Sequence, residues 1–96
     1  MKYQETTEKN GKKFKIVVTA SKECNINDTG KDIQGSGFVK KFSCLGNIYT
    51  ASTEVFILSD GKQHEVGDPF KYFSLYELDQ YLHKLVEQEK LRYREE

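Results

Sequence analysis

The segment from Phe73 to Leu78 marks where a helix begins, and it divides the chain into an extended part and a helical part. Ser74 can cap the free backbone N–H groups at a helix start, and Glu77 can reach back to complete a capping box. Phe73 and Leu78 stand at the two positions of a hydrophobic staple. Apolar residues then recur every three or four positions, which predicts an amphipathic helix over 74–93. The stripe predicted to face the sheet consists of Leu75, Leu78, Leu82 and Leu85, flanked by Tyr81 and Val86.

Three dipeptides before the helix are suited to tight hairpin turns: Asn10-Gly11, Gly46-Asn47 and Asp60-Gly61. Each offers residues that tolerate positive φ, which two-residue hairpin turns require. Counting outward from a turn predicts which residues lie opposite each other, and the second and third registers agree on which face is apolar. The partners predicted across the first, second and third turns include Thr7 and Phe14, Phe42 and Ala51, and Ile57 and His64, respectively.

A chain of 96 residues has room for a single domain, 1–96, with a modest core. The turns and the helix start together predict an α+β fold: an antiparallel β-meander of about five strands with one C-terminal α-helix packed on one face. Within it we expect a β-hairpin at 1–21, a connecting loop at 22–37, a three-strand meander at 38–66 and the helix at 74–93. The loop assignment rests on the Asn, Asp, Gly and Ser content of 22–37.

Lys40 does not fit the apolar face that this register predicts, since it falls between Phe38 and Phe42 on that face. Three explanations are open at this point: Lys40 lies at a sheet edge, its ammonium reaches past the apolar surface to water, or a bulge shifts the register.

The sequence carries no catalytic, metal or cofactor signature. Its cysteines and histidines stand far apart, without the close pairs of common zinc motifs. The Asn-rich segment 25–36 has too few carboxylates for a calcium loop. Acidic residues around the helix start are explained by capping and by the helix dipole. We therefore predict a protein that is not an enzyme and binds no cofactor; the residues weighed for metal binding or acid–base chemistry are Cys24, Cys44, His64, His83, Glu65, Asp68, Glu77 and Asp79.

The chain shows no apolar leader and no run long enough to cross a bilayer, so we expect a soluble, cytoplasmic protein with reduced cysteines and no membrane contact. Its net charge is zero, yet the charge is uneven: residues 1–45 carry nine Lys against five acids, and residues 46–96 carry six Lys or Arg against ten acids. Two interpretations are open: the surface charge is simply scattered, as in many small near-neutral proteins, or a basic sheet surface is opposed to an acidic helix.

The sheet face opposite the one that the helix is predicted to cover, which we call the second face, is the feature that suggests a function. One helix cannot cover both faces, so either the first hairpin folds over the second face or a partner covers it. The first functional hypothesis is a small protein-interaction module whose partner is another protein or a second copy of the chain. A composition rich in Lys, Glu, Tyr and Ile suggests a phage or mobile-element accessory protein that binds and inhibits or redirects a larger host protein. The predicted interaction residues are Val39, Lys41, Ile48, Phe56 and Leu58.

The alternative hypothesis is a single-stranded nucleic-acid-binding protein, in which lysines contact phosphates and aromatic rings stack on bases. The lysines predicted for this role are interleaved with Phe14, Phe38 and Phe42, although those rings are also assigned to the core. The neutral charge and the absence of a known nucleic-acid motif speak against it. The candidate residues are Lys12, Lys13, Lys15, Lys40 and Lys41.

Overall fold

The structure, a computed structural model, describes the backbone of residues 2–23, 31–34, 37–44 and 47–95, and the side chains of 2–20, 37–41, 49–85, 87 and 88. These residues form an antiparallel sheet with one C-terminal helix on one face, which confirms the predicted α+β class. A short 3-10 turn, Pro69–Lys71, precedes the helix. The elements are β1 (Lys2–Lys9), β2 (Lys12–Glu23), β3 (Lys31–Gln34), β4 (Gly37–Cys44), β5 (Asn47–Ser59), β6 (Lys62–Glu65) and α1 (Leu75–Glu95).

The strands lie in the order β1-β2-β5-β4-β3, and β6 also pairs with β5. Along β5, β4 pairs with residues 47–54 and β6 pairs with residues 56–59, so these two strands follow one another along the same edge. The first hairpin joins the sheet through β2, which lies beside β5 over almost its whole length. It therefore extends the sheet in its own plane and does not fold over the second face.

The two Asn-Gly and Asp-Gly turns form as the sequence predicts. Asn10 and Gly11 have φ of 53° and 78°, and Asp60 and Gly61 have φ of 52° and 73°. Two consecutive residues with positive φ make the type I′ turn, whose twist matches that of the flanking strands. The predicted pairing registers on both sides of these turns are confirmed, from Thr7 opposite Phe14 to Ile57 opposite His64.

The register predicted between β4 and β5 is wrong by two residues. Phe42 lies opposite Tyr49 instead of Ala51, and Cys44 lies opposite Asn47. Asn47 thus belongs to β5, and the residues between the strands are 45–46, outside the described residues. Because side chains alternate with a period of two, the slip leaves every residue on its predicted face.

The interpretation of 22–37 as a connecting loop is also corrected. β2 continues through Glu23, which pairs with Ile48, and the short strand β3 occupies Lys31–Gln34 beside β4. Residues 24–30 and 35–36 lie outside the described residues. A lone four-residue strand with one apolar residue has no alternation to distinguish it from a polar loop in the sequence.

The core lies between α1 and one face of the sheet, which we call the covered face. Phe14 of β2 is fully buried at its centre, and its ring centroid lies 5.0 Å from that of Tyr72 and 5.2 Å from that of Phe73. The connection between β6 and α1 therefore packs on the same face as the helix. The described buried residues of this core are Phe14, Ile16, Val18, Ala20, Phe38, Ala51, Val55, Val66, Phe73, Leu78, Leu82 and Leu85.

The start of α1 has the capping box that the sequence predicts. The Glu77 backbone N–H donates to the Ser74 hydroxyl at 3.2 Å, and the Ser74 N–H donates to the Glu77 carboxylate at 3.1 Å. Phe73 and Leu78, the predicted staple, are both buried in the core. Leu75 is the exception in the predicted stripe, because 39% of its surface is exposed. The side chain of Val86 lies outside the described residues.

An ion pair with the helix explains why Lys40 can stand on the covered face. Its ammonium lies 2.8 Å from the carboxylate of Asp79, and both side chains are 21% exposed. The charge is therefore neutralised by α1, without a bulge and without full exposure to water. The sequence could not assign this partner because Asp79 is 39 residues away in the chain.

Candidate interaction surface

We call the second face of the sheet, which lies opposite α1, the open face. The described helix and the described connection before it both pack on the covered face, and no described element packs over the open face. The pairing register assigns Phe56 and Leu58 of β5 to the open face, together with Val17 of β2. Val17 is buried, whereas Phe56 and Leu58 are half-buried. Apolar side chains therefore occupy part of a surface that none of the described elements covers.

Phe56 and Leu58 lie in the middle of the strand order and are flanked by charged and polar neighbours. Phe56 lies opposite Lys15 of β2 on one side and Glu65 of β6 on the other. Leu58 lies opposite Lys13 and Gln63. Residues directly opposite on neighbouring strands are close enough for the aliphatic stems of Lys and Glu to contact an aromatic ring. The result is a small apolar patch with a rim of both charge signs.

The structure divides the predicted interaction residues into separate groups. Phe56 and Leu58 are neighbours on one face of β5, but Val39 lies opposite Ser52, four residues from Phe56 along the strand. Four residues of a strand span about 13 Å, so Val39 is not part of the same patch. Lys41 lies further away, opposite Thr50. Ile48 lies further still along β5, and its side chain is outside the described residues.

The lysines considered for nucleic-acid binding are divided between the two faces. Lys40 is held by Asp79 on the covered face, and the Lys12 ammonium lies 5.5 Å from the centroid of the Tyr72 ring on that same face. Lys13, Lys15 and Lys41 belong to the open face by register. The five lysines therefore do not form one basic surface.

The aromatic rings predicted to stack on bases are mostly unavailable for that purpose. Phe14 and Phe38 are buried in the core, with exposed fractions of 0% and 1%. The side chain of Phe42 lies outside the described residues. Of the described aromatic side chains in the strands, Phe56 alone belongs to the open face by register. A nucleic acid on this face would meet one ring and not a row of them.

The acidic residues around the helix start have structural partners. Asp68 accepts the backbone N–H of Phe70 at 3.1 Å and caps the 3-10 turn. Glu77 caps α1 and also pairs with Lys9 at 3.0 Å, while Asp79 pairs with Lys40. Each of these carboxylates thus has a role in the fold.

The potential metal ligands do not come together in the described part of the chain. His64 and His83 are exposed, on β6 and α1 respectively. Cys24 and the side chain of Cys44 lie outside the described residues, as do residues 25–30. Among the residues that were described, no three His, Cys, Asp or Glu side chains are grouped so that they could hold a metal ion.

A charged cluster joins β1 to α1 at the edge of the covered face. The Lys84 ammonium donates to both carboxylate oxygens of Glu5, at 2.8 and 3.1 Å, and the Tyr3 hydroxyl donates to Glu5 at 2.8 Å. Partial burial opposes ionisation of Glu5, but the hydrogen bonds from Lys84 and Tyr3 outweigh it and lower the pKa of the carboxyl. The hydrogen bond to Glu5 raises the pKa of Lys84. Both groups are therefore held in their charged forms.

A second contact of the same kind lies nearer the first turn. The Lys9 ammonium lies 3.0 Å from the Glu77 carboxylate and 5.1 Å from the centroid of the Phe73 ring. The backbone hydrogen bond from Ser74, followed by the one from Lys9, lowers the pKa of Glu77. The helix thus holds the inward-facing charges of β1 at two points.

Sequence reasoning missed the two large apolar residues that are most exposed among the described side chains. Tyr76 is 72% exposed and Leu75 is 39% exposed, both in the first turn of α1. The three- and four-residue periodicity assigned Leu75 to the buried stripe because it cannot show where the sheet under the helix ends. Tyr76 lies outside that stripe and gave no signal of its own.

Comparison with known proteins does not extend this description. The chain matches no family model, and neither a curated protein nor a solved structure matches it significantly. In the described residues, no helix combines the length and the apolar character needed to cross a bilayer.

Proposed function

We propose that this protein is a non-catalytic interaction domain that binds a larger protein through the patch of Phe56 and Leu58 on the open face. The observation that carries the proposal is the position of Phe56, a half-buried aromatic ring in the middle of a sheet face over which no described element packs. Aromatic side chains at the centre of such surfaces contribute much of the binding energy in protein interfaces. The acidic residues beside the helix cap or pair with their neighbours, which favours binding over catalysis.

The rim of the patch indicates what kind of partner surface would fit. Lys13 and Lys15 lie on the β2 side of the patch, and Glu65 lies on the β6 side. A partner with an exposed apolar group between an acidic and a basic side chain would match this order of charges. The finer hypothesis is that binding inhibits or redirects that partner, as an accessory protein of a phage or mobile element would do. It rests on the size and composition of the chain.

A binding comparison between two aromatic residues tests the proposal. Immobilised wild-type protein, Phe56→Ser and Tyr76→Ser would each be exposed to a lysate of the encoding organism, and the affinity of any captured protein would then be measured with purified components. Tyr76 is the matched control because it is aromatic and more exposed, but lies on the helix. We expect Phe56→Ser to weaken binding at least about tenfold and Tyr76→Ser to leave it unchanged.

Equal binding by wild type and Phe56→Ser, with circular dichroism showing that both are folded, would contradict the proposal. So would the absence of any partner whose capture depends on Phe56. Nucleic acid is the second candidate, since Lys13 and Lys15 lie beside the open-face ring. A complex with a random single-stranded oligonucleotide that weakens steeply with salt, and weakens further in Lys13→Gln and Lys15→Gln, would favour it over a protein partner.

A further inference from the structure

The outer edge of β1 offers backbone hydrogen-bonding groups that the described strands do not use. β1 lies at one end of the strand order, and β2 pairs with one side of it only. In a two-residue type I′ hairpin the residues that flank the turn, here Lys9 and Lys12, form a hydrogen-bonded pair. Pairs then alternate along the strands, so every second residue of β1 directs its N–H and C=O away from β2. These residues are Lys2, Gln4, Thr6 and Glu8.

We propose that β1 pairs with β1 of a second copy of the chain, antiparallel and around a two-fold axis at Glu5. In this register Lys2 lies opposite Glu8 of the other copy, and Gln4 lies opposite its Thr6. The proposal goes beyond the patch of Phe56 and Leu58 and does not depend on it.

The sequence of β1 is complementary to itself in this register. The two-fold axis repeats each contact, so a Lys–Glu pair forms at both ends of the joined strands. Opposite charges directly across a strand pair stabilise it. Moving the register by two residues in either direction leaves both Lys2 and Glu8 without an oppositely charged partner and shortens the paired segment. The pairing at Glu5 is therefore the one that uses the whole edge.

The inward-facing charges of β1 are neutralised by the helix, which removes a common obstacle to edge pairing. Charged side chains that point inward normally protect an edge strand from adding another strand. Here Glu5 is held by Lys84 at 2.8 Å, and Lys9 is held by Glu77 at 3.0 Å. The two Glu5 carboxylates approach each other at the axis, and each would be paired with Lys84 of its own chain.

There is room for the second copy on the helix side of the sheet. The backbone of α1 lies over β2 and β4, and α1 reaches β1 through the ion pairs of Lys84 with Glu5 and of Glu77 with Lys9. In the joined sheet, β2 and its symmetry copy lie three strand spacings apart, about 14 Å. A helix with its side chains is about 10 Å wide, so the two helices lie side by side without collision. Both open faces then point to the same side.

The first test uses a proline that breaks the proposed contact and leaves the hairpin intact. The N–H of Thr6 points to the outer edge, so Thr6→Pro removes a donor from the proposed pairing and none from the β1–β2 ladder. Light scattering from micromolar to millimolar protein should give twice the chain mass of 11.2 kDa for wild type and for the control Thr6→Val. Thr6→Pro should give the single-chain mass with an unchanged circular dichroism spectrum. A wild-type monomer at millimolar concentration, or a folded Thr6→Pro dimer, would overturn the proposal.

The second test exchanges charges and stays informative even if the proline unfolds the chain. Lys2→Glu places two acids opposite each other at both ends, and Glu8→Lys places two lysines there. Each single variant should dimerise at least about tenfold more weakly than wild type. A mixture of the two single variants should form a heterodimer, because Glu and Lys again face each other at both ends. Single variants that dimerise like wild type, or a mixture that stays monomeric, would rule out this register.

Discussion

The two faces of the sheet are built from the same strands and have opposite characters. On the covered face, Phe14, Ile16 and Val55 are fully buried under the helix, and ion pairs close the margins. On the open face, Val17 is buried, whereas Phe56 and Leu58 keep part of their surface in solvent. Alternation along a strand thus assigns each residue to a face, but the side of the sheet on which α1 packs decides which face becomes the core.

The sharpest way to test this comparison is to shorten one large apolar side chain on each side. Leu82→Ala removes a side chain that is 3% exposed and leaves a cavity between helix and sheet, so we expect a loss of about 2–5 kcal/mol in the free energy of unfolding. Phe56→Ser removes a half-buried ring whose site water can fill, and we expect a loss of about 1 kcal/mol. Urea denaturation measures both. Equal losses would mean that the open face behaves as core, which would remove the main support for a binding role.

A polar group within the covered face allows a finer test of how that face is built. Thr53 lies opposite Val18 and Phe38, and only 1% of its surface is exposed. Its hydroxyl has no hydrogen-bond partner among the described residues. Thr53→Val replaces the hydroxyl by a methyl group of similar size, so we expect a gain of about 1 kcal/mol in the free energy of unfolding. Thr6→Val, at an exposed position of β1, is the control and should change stability little. A destabilised Thr53→Val would show that the hydroxyl has a partner.

The sequence predicts the local turns well because their chemistry is local. Asn10-Gly11 and Asp60-Gly61 determine the register of their strands through positive φ, without reference to the rest of the chain. Gly46-Asn47 misled the count because a glycine can occupy either place of a two-residue turn, and Asn47 proved to be a strand residue. A pairing register can therefore be predicted only where the two turn residues are unambiguous.

Contacts between distant segments could not be predicted from the sequence. No local sequence pattern indicates that β2 lies beside β5, or that Asp79 neutralises Lys40. For the same reason the predicted interaction residues were not resolved into groups: alternation places Val39 and Phe56 on one face but gives no distance between them. Alternation along β5 could predict that Phe56 and Leu58 lie on the open face. Only the strand order shows that Lys15 and Glu65 are their neighbours.

The ion pairs between β1 and α1 predict how the free energy of unfolding changes as the pH is lowered. Glu5 and Glu77 both have a pKa below the ordinary value of 4.5 in the folded protein. For Glu5, the hydrogen bonds from Lys84 and Tyr3 overcome the opposing effect of burial; for Glu77, the Ser74 backbone hydrogen bond acts first, with that of Lys9. The unfolded chain therefore binds these protons more readily than the folded one. Their contribution to stability is complete above pH 4.5 and is lost as the pH falls through the folded pKa values.

Removing both carboxylates should flatten this acid dependence while leaving the core intact. The side chains of Glu5 and Glu77 are 30% and 41% exposed, so solvent screens their ion pairs and we expect each to contribute less than about 1 kcal/mol. Urea denaturation of Glu5→Gln/Glu77→Gln should show a smaller loss of stability than wild type between pH 5 and pH 3. Lys84→Gln should reproduce the Glu5 part of this effect, because it removes the lysine that stabilises the carboxylate. An unchanged slope in the double variant would show that the ion pairs at the β1 margin do not stabilise the fold, and that the helix is held by the covered-face core alone.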